Sequence, residues 1–301
     1  MFTRAVVGVT GLQPVESIIT GTRAGRRLAH RFVAGDTLVD AIDAAEKLES
    51  TGLFVSLDLL GEEVEDEDGA RRAASEYLAC LQLIAESGMR ANISVKLTQL
   101  GLNIDTGLAE ESVDRLALAA AACGTSVTID MEDSRYTAAT IDLYADAQSR
   151  HGNLGVCLQA CLRRTPEDLV RLLPLGGHLR LCKGAYLEPE DIAFQAKDDV
   201  DAAFGRLLVA LMEAATVRPA IATHDPRLID LTLDLAERRA APFEFQMLYG
   251  VRADEQKRLA GAGHDVRVYL PFGSAWYPYL TRRLAERPAN TWFFLRSLAG
   301  R

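Results

Sequence analysis

The sequence predicts an α/β fold, a TIM-type (β/α)8 barrel built from one chain of 301 residues. Eight short apolar runs recur along the chain, and each is followed by an amphipathic stretch of helical period. Strands that alternate with helices pair in parallel through right-handed crossovers. The length is close to that of one such barrel, and eight units close into a barrel more readily than they form an open sheet.

The predicted strands are rich in β-branched residues and end in polar ones. They span residues 53–60, 93–101, 126–132, 154–160, 178–185, 219–224, 243–248 and 265–271. The predicted helices between them span residues 69–87, 110–124, 138–150, 166–174, 198–215, 226–239 and 253–263. An open doubly wound sheet is the alternative, but its glycine fingerprint fails, since Gly261 and Gly263 are followed by Val266 instead of a third glycine.

The same pattern divides the chain into two parts. Residues 1–45 precede the strands and are predicted to form a helical segment that flanks the barrel, whereas residues 46–301 form the barrel itself. The sequence contains no Pro/Gly/Ser linker, low-complexity tract or repeat beyond the β/α unit that would indicate a further domain.

Composition excludes several kinds of partner. The net charge of -9 argues against nucleic-acid binding, because a phosphate-facing surface needs clustered Lys and Arg. No apolar run approaches the roughly 20 residues of a membrane helix, and the N-terminus lacks the apolar core of a secretory signal. The 5 cysteines form no even framework, which favours a reducing, cytoplasmic location. Cys157 and Cys161 have no second Cys or His pair to complete a metal site, so no metal is predicted.

Polar side chains stand at the predicted C-terminal ends of the strands, where barrel enzymes have their active sites. Lys96 lies inside an apolar run, and a lysine there is costly to bury unless it is paired. It is either half of a structural ion pair with Asp130 or a catalytic residue, and the two roles are compatible. The other polar residues at these ends are Glu132, Asp133, Gln159, Arg180, Lys183, Thr223, His224, Asp225, Gln246 and Tyr269.

A group of four residues follows the last predicted strand. Tyr279, Arg282, Arg283 and Glu286 are spaced i, i+3, i+4 and i+7, so they share one face of a helix. Two adjacent guanidinium groups after the last barrel strand can bind a carboxylate through charge-assisted hydrogen bonds. The alternative is a solvent-facing helix with an Arg282–Glu286 ion pair, and spacing alone leaves both interpretations open.

Six segments of the chain match a known family in its order. They are SVKLTQLG, TIDMEDS, LRLCKGAY, ATHD, FEFQMLYG and VYLPFGSAWYPYLTRRLAERPANTWF. With these segments the chain resembles the proline dehydrogenases, particularly the short monofunctional bacterial enzymes. The resemblance implies a distorted barrel with FAD held against the strand ends and a C-terminal helix over the active site.

The resemblance also implies roles for individual residues. The arginine pair would bind the carboxylate of proline, Glu286 would orient it, and Arg180 would lie near the reactive nitrogen of the flavin. The implied substrate-binding residues are Lys96, Leu248, Tyr269, Tyr279, Arg282, Arg283 and Glu286. The implied cofactor-binding residues are Asp130, Gln159, Arg180, Cys182, Gly184, Ala185, Tyr186, Thr223, His224 and Gln246. The implied catalytic residues are Lys96, Asp130, Arg180 and Tyr269.

The function implied by the resemblance is FAD-dependent oxidation of L-proline to Δ1-pyrroline-5-carboxylate, the first step of proline catabolism to glutamate. Electrons would pass to a quinone, which would bring the cytoplasmic protein into peripheral contact with the inner face of the cell membrane. The chain ends soon after NTWFFLRSL, so we expect a separate pyrroline-5-carboxylate dehydrogenase to take the product. Tyr279 would crowd a ring hydroxyl, which favours proline over hydroxyproline.

Two other functions compete with this one. A lyase or aldolase could form a Schiff base on Lys96 or Lys183, since lysines of barrel strands often do that chemistry. A non-catalytic FAD or proline sensor is the third possibility, but we expect it to need an output module that this barrel leaves no room for.

Overall fold

The structure is a computed structural model that describes residues 22–286, with side chains described except in Arg23, Ala24, Leu28 and residues 283–286. Eight parallel strands pair in chain order, and the last returns to the first to close a barrel. The strands are β1 (Phe54–Leu59), β2 (Ala91–Val95), β3 (Val127–Ile129), β4 (Leu154–Gln159), β5 (His178–Cys182), β6 (Arg218–Ala222), β7 (Glu244–Leu248) and β8 (Val266–Phe272). The predicted TIM-type barrel is confirmed.

Helices precede the barrel and follow every strand. They are α1 (Arg23–Ala29), α2 (Leu38–Glu49), α3 (Glu67–Ser87), α4 (Thr106–Ala122), α5 (Ser134–His151), α6 (Thr165–Leu172), α7 (Lys197–Glu213), α8 (Pro226–Ala236), α9 (Ala253–Gly261) and α10 (Trp276–Glu286), with a short 3-10 turn at Leu173–Leu175. Aspartates begin several of these helices. The carboxylates of Asp66, Asp105 and Asp133 accept from backbone N–H groups of the first turn, which would otherwise lack partners.

The second strand is shorter than predicted. It ends at Val95, and the run predicted to continue to residue 101 instead turns, with the backbone N–H of Leu100 donating to the carbonyl of Lys96 at 3.2 Å. Leu97 and Leu100 are fully buried within this turn. A continuous apolar run therefore indicated burial correctly but could not distinguish a strand from a buried turn. Lys96 consequently lies just past the end of β2.

The first and last described helices pack together at the mouth of the barrel. Phe32 and Val33, which follow α1, form an apolar cluster with Ala29, Leu60, Trp276, Tyr277, Tyr279 and Leu280. Helix α2 packs on β1 and β8, and its Ala41, Ala44 and Ala45 belong to the main core. The predicted domain boundary at residue 45 falls inside α2, and the division into two parts stays a prediction.

Candidate active site

A cavity of about 700 Å³ opens at the C-terminal ends of the strands. Its wall includes most of the side chains predicted for the site. These are Lys96, Asp130, Arg180, Cys182, Gly184, Ala185, Tyr186, Thr223, His224, Gln246, Leu248, Tyr269, Tyr279 and Arg282. The side chains of Arg283 and Glu286, also predicted for the site, lie outside the described residues, although their helix α10 reaches Glu286.

A buried cluster of charges lies at the bottom of this cavity. Lys96 Nζ donates to Asp58 Oδ1 at 2.6 Å and lies 3.6 Å from Asp130 Oδ2. Asp130 also accepts from Arg180 Nη1, and it accepts from Tyr269 Oη at 2.6 Å. The predicted Lys96–Asp130 pair is present, but the nearer partner of Lys96 is Asp58, which the sequence analysis missed. Each charge has an opposite neighbour, as buried charges require.

These contacts determine the protonation of the cluster. Burial by itself would lower the pKa of the Lys96 ammonium, but the carboxylates of Asp58 and Asp130 raise that pKa well above its usual value. Burial would likewise raise the pKa of Asp130, yet the guanidinium of Arg180 and the ammonium of Lys96 bring it below its usual value. Burial raises the pKa of the Tyr269 hydroxyl well above 10.0. At neutral pH, Lys96 is a cation, Asp130 is an anion and Tyr269 is a hydrogen-bond donor.

The guanidinium of Arg180 has several contacts, and one of its nitrogens takes part in none of the hydrogen bonds described. Its Nε donates to Gln246 Oε1, its Nη1 donates to Ser94 Oγ at 3.0 Å, and its guanidinium lies 5.2 Å from the centre of the Tyr269 ring. Its buried Nη2 has no hydrogen-bond partner among the residues that the structure describes. A buried guanidinium nitrogen without a partner is costly, so a ligand in the cavity that accepts from it would be favoured.

Arg282 enters the same cavity from α10. Its Nη2 donates to Glu62 Oε1 at 2.7 Å, and its guanidinium lies 6.0 Å from the centre of the Tyr186 ring. Glu62 follows β1, and the sequence analysis missed it because it belongs to the acidic stretch GEEVEDED, which resembles a solvated loop. Asp58, in contrast, could have been predicted from the sequence. It is a carboxylate inside an apolar strand, and such a charge needs a partner in the same way as the ammonium of Lys96 next to a strand.

Comparison with known proteins identifies the family. The family model described as "Proline dehydrogenase" matches residues 41–296. The chain belongs to the proline dehydrogenase family. It is 40% identical to Proline dehydrogenase 1 of Bacillus subtilis subsp. natto over 281 residues, covering 92% of each chain. It is 34% identical to Proline dehydrogenase of Deinococcus radiodurans over 306 residues, covering 99% of this chain and 98% of that one. This membership makes the protein an enzyme of proline catabolism.

Solved structures agree on the fold. The crystal structure of proline utilization A (PutA) from Bdellovibrio bacteriovorus, inactivated by N-propargylglycine, matches 87% of this chain with a TM-score of 0.81 and 23% sequence identity. The match covers 33% of the PutA chain, so the present chain spans about a third of that protein. At this identity the likeness shows the barrel fold alone.

The remaining predicted residues of this proline dehydrogenase site differ in what their side chains contact. Gln159 is 2% exposed, and its Nε2 donates to the carbonyls of Met131 and Glu132 at 3.0 and 2.8 Å. It therefore supports the loop that carries Asp130, and it is not among the residues that line the cavity. His224 Nε2 accepts from the backbone N–H of Leu248 at 3.0 Å, which connects the ends of β6 and β7.

A second group of charges lines the cavity near α7 and α8. Lys183 Nζ donates to Asp201 and Asp225, at 2.5 and 2.9 Å. Lys197 and Arg227 contact the same two carboxylates from the helices. Among residues 22–286 no group of three or more His, Cys, Asp and Glu side chains is arranged to hold a metal ion. Within the same range, no helix has the length and apolar character needed to cross a membrane.

Proposed function

We propose that the protein oxidises L-proline to Δ1-pyrroline-5-carboxylate by hydride transfer to FAD and passes the electrons to a quinone. The observation that carries this proposal is one cavity in which Arg282 and Tyr279 of α10 face the buried cluster of Lys96, Asp130 and Arg180. Membership of the proline dehydrogenase family supplies the substrate class. The cavity volume of about 700 Å³ lies in the range of small-molecule and cofactor sites.

The residues present fit a flavin. Arg180 Nη2 is a buried donor without a partner among the described residues, as expected where a ligand supplies the acceptor. Lys183, Lys197 and Arg227 line one part of the cavity and suit phosphate groups. The proposed contacts of FAD are Asp130, Arg180, Cys182, Gly184, Ala185, Tyr186, Thr223, His224 and Gln246. Gln159, which does not line the cavity, is proposed to act through the loop that carries Asp130. When bound, FAD supplies the acceptor for the hydride.

The proposed substrate contacts use the charges near α10. Arg282 and Arg283 bind the carboxylate of proline, and Lys96 adds a third cation to the same pocket. Arg282 is already paired with Glu62, so a carboxylate substrate must share this guanidinium or replace Glu62 on it. Leu248, Tyr269 and Tyr279 form the remaining walls, and Glu286 is proposed to orient the arginine pair.

The charges of the chain also favour the reactive form of the substrate. Hydride can leave the carbon next to the proline nitrogen only when that nitrogen is neutral. Lys96 and Arg282 are cations at neutral pH and disfavour a positive amine beside them. The lowered pKa of Asp130 keeps this carboxylate ionised, so we propose that it holds Arg180 and Tyr269 in place. Arg180 would stabilise the negative charge that a bound flavin gains on reduction.

Two properties of the pocket favour one of the competing functions. A Schiff-base lysine needs a lowered pKa to act as a nucleophile, whereas the pKa of Lys96 is raised and Lys183 is bound between two carboxylates. Both features favour the dehydrogenase over the lyase or aldolase. The product is proposed to pass to a separate pyrroline-5-carboxylate dehydrogenase, which the match to a curated relative over 92% of each chain supports.

The visible spectrum of the purified protein tests the proposal. We expect the absorbance of bound flavin to be bleached when L-proline is added without oxygen. A colourless protein in which borohydride traps the substrate on a lysine would favour the lyase, and bound flavin that proline does not bleach would favour the sensor. Hydroxyproline serves as the comparison substrate, and a higher kcat/KM for it than for proline would contradict the role of Tyr279.

Arg283→Met tests the proposed division of roles. Loss of charge-assisted hydrogen bonds of about 1.5 to 3 kcal/mol raises the KM for proline by about 10- to 150-fold and leaves FAD bound. Arg258→Met is the control, because Arg258 is an exposed arginine of α9 that pairs only at the surface with Glu255. Loss of flavin from Arg283→Met with an unchanged KM would show that the roles are wrongly divided.

A further inference from the structure

Two thiols meet on the wall of the cavity. Cys157 lies on β4 and Cys182 ends β5, and their sulfur atoms are 3.5 Å apart. The strand register pairs Cys157 with Arg180 and Gln159 with Cys182, so the two cysteines are diagonal neighbours. Both line the cavity, and all the cysteines in the described residues are free thiols.

The surroundings of the two sulfurs differ. Cys157 is 6% exposed, whereas Cys182 is only partly buried, and both residues line the cavity. The hydrogen bond with Cys182, together with burial, raises the pKa of the Cys157 thiol well above its usual value. Cys157 therefore remains S–H, and either sulfur can donate in the contact between them. Cys182 is the more exposed residue of the pair, so we expect a small molecule in the cavity to react there first.

Two buried cysteines at contact distance can simply fill space in a core. This pair differs from core packing because the sulfurs contact each other across neighbouring strands and one of them is accessible from a cavity. Its geometry requires the sulfurs to approach by about 1.5 Å to reach bonding distance. Diagonal neighbours in a sheet have Cα atoms about 7 to 8 Å apart, at the upper limit for a disulfide, so rotation of the two side chains must be accompanied by a small movement of the strands.

We propose that Cys157 and Cys182 form a thiol-oxidation site in the cavity wall, at which a hydroperoxide converts the two thiols into a disulfide. The sulfur of Cys182 attacks the peroxide oxygen, the O–O bond breaks, and a sulfenic acid and one molecule of water or alcohol form. The sulfur of Cys157 then attacks the sulfenic sulfur, the S–O bond breaks, and the hydroxyl leaves as water with the Cys157 proton. The two thiols lose two electrons and the peroxide gains them.

The site shares Cys182 with the proposed contacts of FAD, so bound FAD would limit the access of a peroxide to that sulfur, but the reaction takes no electrons from the flavin and its readout counts only thiols of the chain. A disulfide there would connect the ends of β4 and β5, on which Arg180 and the cavity-lining residues after Cys182 depend. A reductant such as dithiothreitol reverses the reaction by thiol–disulfide exchange, which distinguishes the disulfide from oxidation beyond the sulfenic acid.

Mass spectrometry of the full-length protein tests the proposal. The folded protein, as purified, is treated with hydrogen peroxide, its remaining thiols are alkylated, and its mass is compared with that of the reduced protein. We expect two alkylated cysteines fewer, recovery of both with dithiothreitol, and a crosslinked peptide that contains Cys157 and Cys182. Trypsin leaves Cys157 and Cys161 together in residues 151–163, so cleavage after Leu158 is used to separate them.

Serine variants identify the partners. Cys157→Ser and Cys182→Ser should each abolish the reversible loss of two thiols, whereas Cys161→Ser should retain it. Cys123→Ser is the matched control, because Cys123 is also partly buried but ends α4 outside the cavity wall. A crosslink to Cys161, or oxidation of one cysteine that dithiothreitol does not reverse, would overturn the proposal. The peptide from the unaltered protein gives the answer even if a variant fails to fold.

Discussion

We expect Gly250→Ala to destabilise the protein and to weaken the binding of proline, although Gly250 is not one of the residues that line the cavity. Gly250 follows β7 with φ of +71°, and a Cβ added there would lie 1.7 Å from the backbone carbonyl oxygen of Arg31. An ordinary carbon-to-oxygen contact is about 3.3 Å, so the backbone would have to move by about 1.6 Å. A carbonyl group has no rotamer with which to avoid the clash.

The magnitude has two parts. A residue with a Cβ costs about 1 to 2 kcal/mol in the left-handed region, and an overpacked contact costs about 1 to 3 kcal/mol more. We expect Gly250→Ala to lower the free energy of unfolding by about 2 to 5 kcal/mol. Gly263→Ala is the matched control, because Gly263 has φ of +90° and no described atom lies within 4 Å of the added Cβ. The control carries the first cost alone, about 1 to 2 kcal/mol.

The effect on proline binding follows from the contacts of the two residues after Arg31. Phe32 and Val33 come next, and they pack in the apolar cluster that includes Tyr279 of α10. Tyr279 and Arg282 line the cavity from that helix. Movement of the Arg31 backbone therefore changes the support of α10, and we expect a higher KM for proline in Gly250→Ala.

Urea unfolding at neutral pH measures the first effect, and steady-state kinetics of the FAD-loaded protein measures the second. If Gly250→Ala loses no more stability than Gly263→Ala, the clash with Arg31 is not the cause. If stability falls as expected but the KM matches that of the unaltered protein, the segment around Phe32 does not control the position of α10.

Three further predictions concern polar groups that are buried or half-buried. Burial raises the pKa of Glu132 from 4.5 to about 7. Its protonated form therefore stabilises the fold below about pH 4.5, and this stabilisation disappears as the pH rises through 7. In urea titrations the free energy of unfolding should fall by about 3 kcal/mol over that interval, relative to the Glu132→Gln variant. Burial lowers the pKa of His178 from 6.5 to about 3, so its neutral form stabilises the fold above about pH 6.5 and this stabilisation is lost as the pH falls. At about pH 5 the free energy of unfolding of the unaltered protein should have fallen by about 2 kcal/mol relative to that of the His178→Gln variant, and equal pH profiles of the two proteins would contradict this. The Arg239 guanidinium donates to backbone carbonyls in the last turn of α7 and just after it, including Met212 O at 2.6 Å. Arg239→Met should therefore lower the free energy of unfolding by about 2 to 4 kcal/mol in thermal or urea unfolding and leave the KM unchanged, whereas substitution of its exposed neighbour, Arg238→Met, should cost little.

The barrel was predictable because strands and helices leave periodic signals. Each predicted strand has its counterpart in the structure, and the largest error, at the end of β2, arose where an apolar run continues into a buried turn at Leu97 and Leu100. Polar groups at strand ends were equally predictable, since a charge beside apolar residues must have a partner. This reasoning identified Lys96, Asp130 and Arg180, which the structure brings into one cluster.

The partners of these charges were harder to predict. Glu62 pairs with Arg282 across 220 residues, and nothing in the local sequence distinguishes it from its acidic neighbours. Helical spacing indicated Glu286 as a partner for the arginine pair, because spacing reports only contacts within one helix, and this stays a prediction since the Glu286 side chain lies outside the described residues. Contacts between distant loops depend on the closed barrel, and therefore on the register of all eight strands.

Asp58 favours one of the two chemistries that the sequence left open for Lys96. A lysine next to a barrel strand suits both Schiff-base formation and binding of a carboxylate, and the difference is whether it is neutral or charged at neutral pH. One carboxylate at 3.6 Å, that of Asp130, is already shared with Arg180 and Tyr269. Asp58 is buried and lies 2.6 Å from the Lys96 ammonium. Burial raises the pKa of Asp58 itself, but Asp58 and Asp130 together raise the pKa of Lys96 well above its usual value, so Lys96 is retained as a cation. The pocket therefore presents a cation that attracts an anionic group and does not present a neutral lysine nucleophile, which fits the carboxylate of proline better than a Schiff-base reaction.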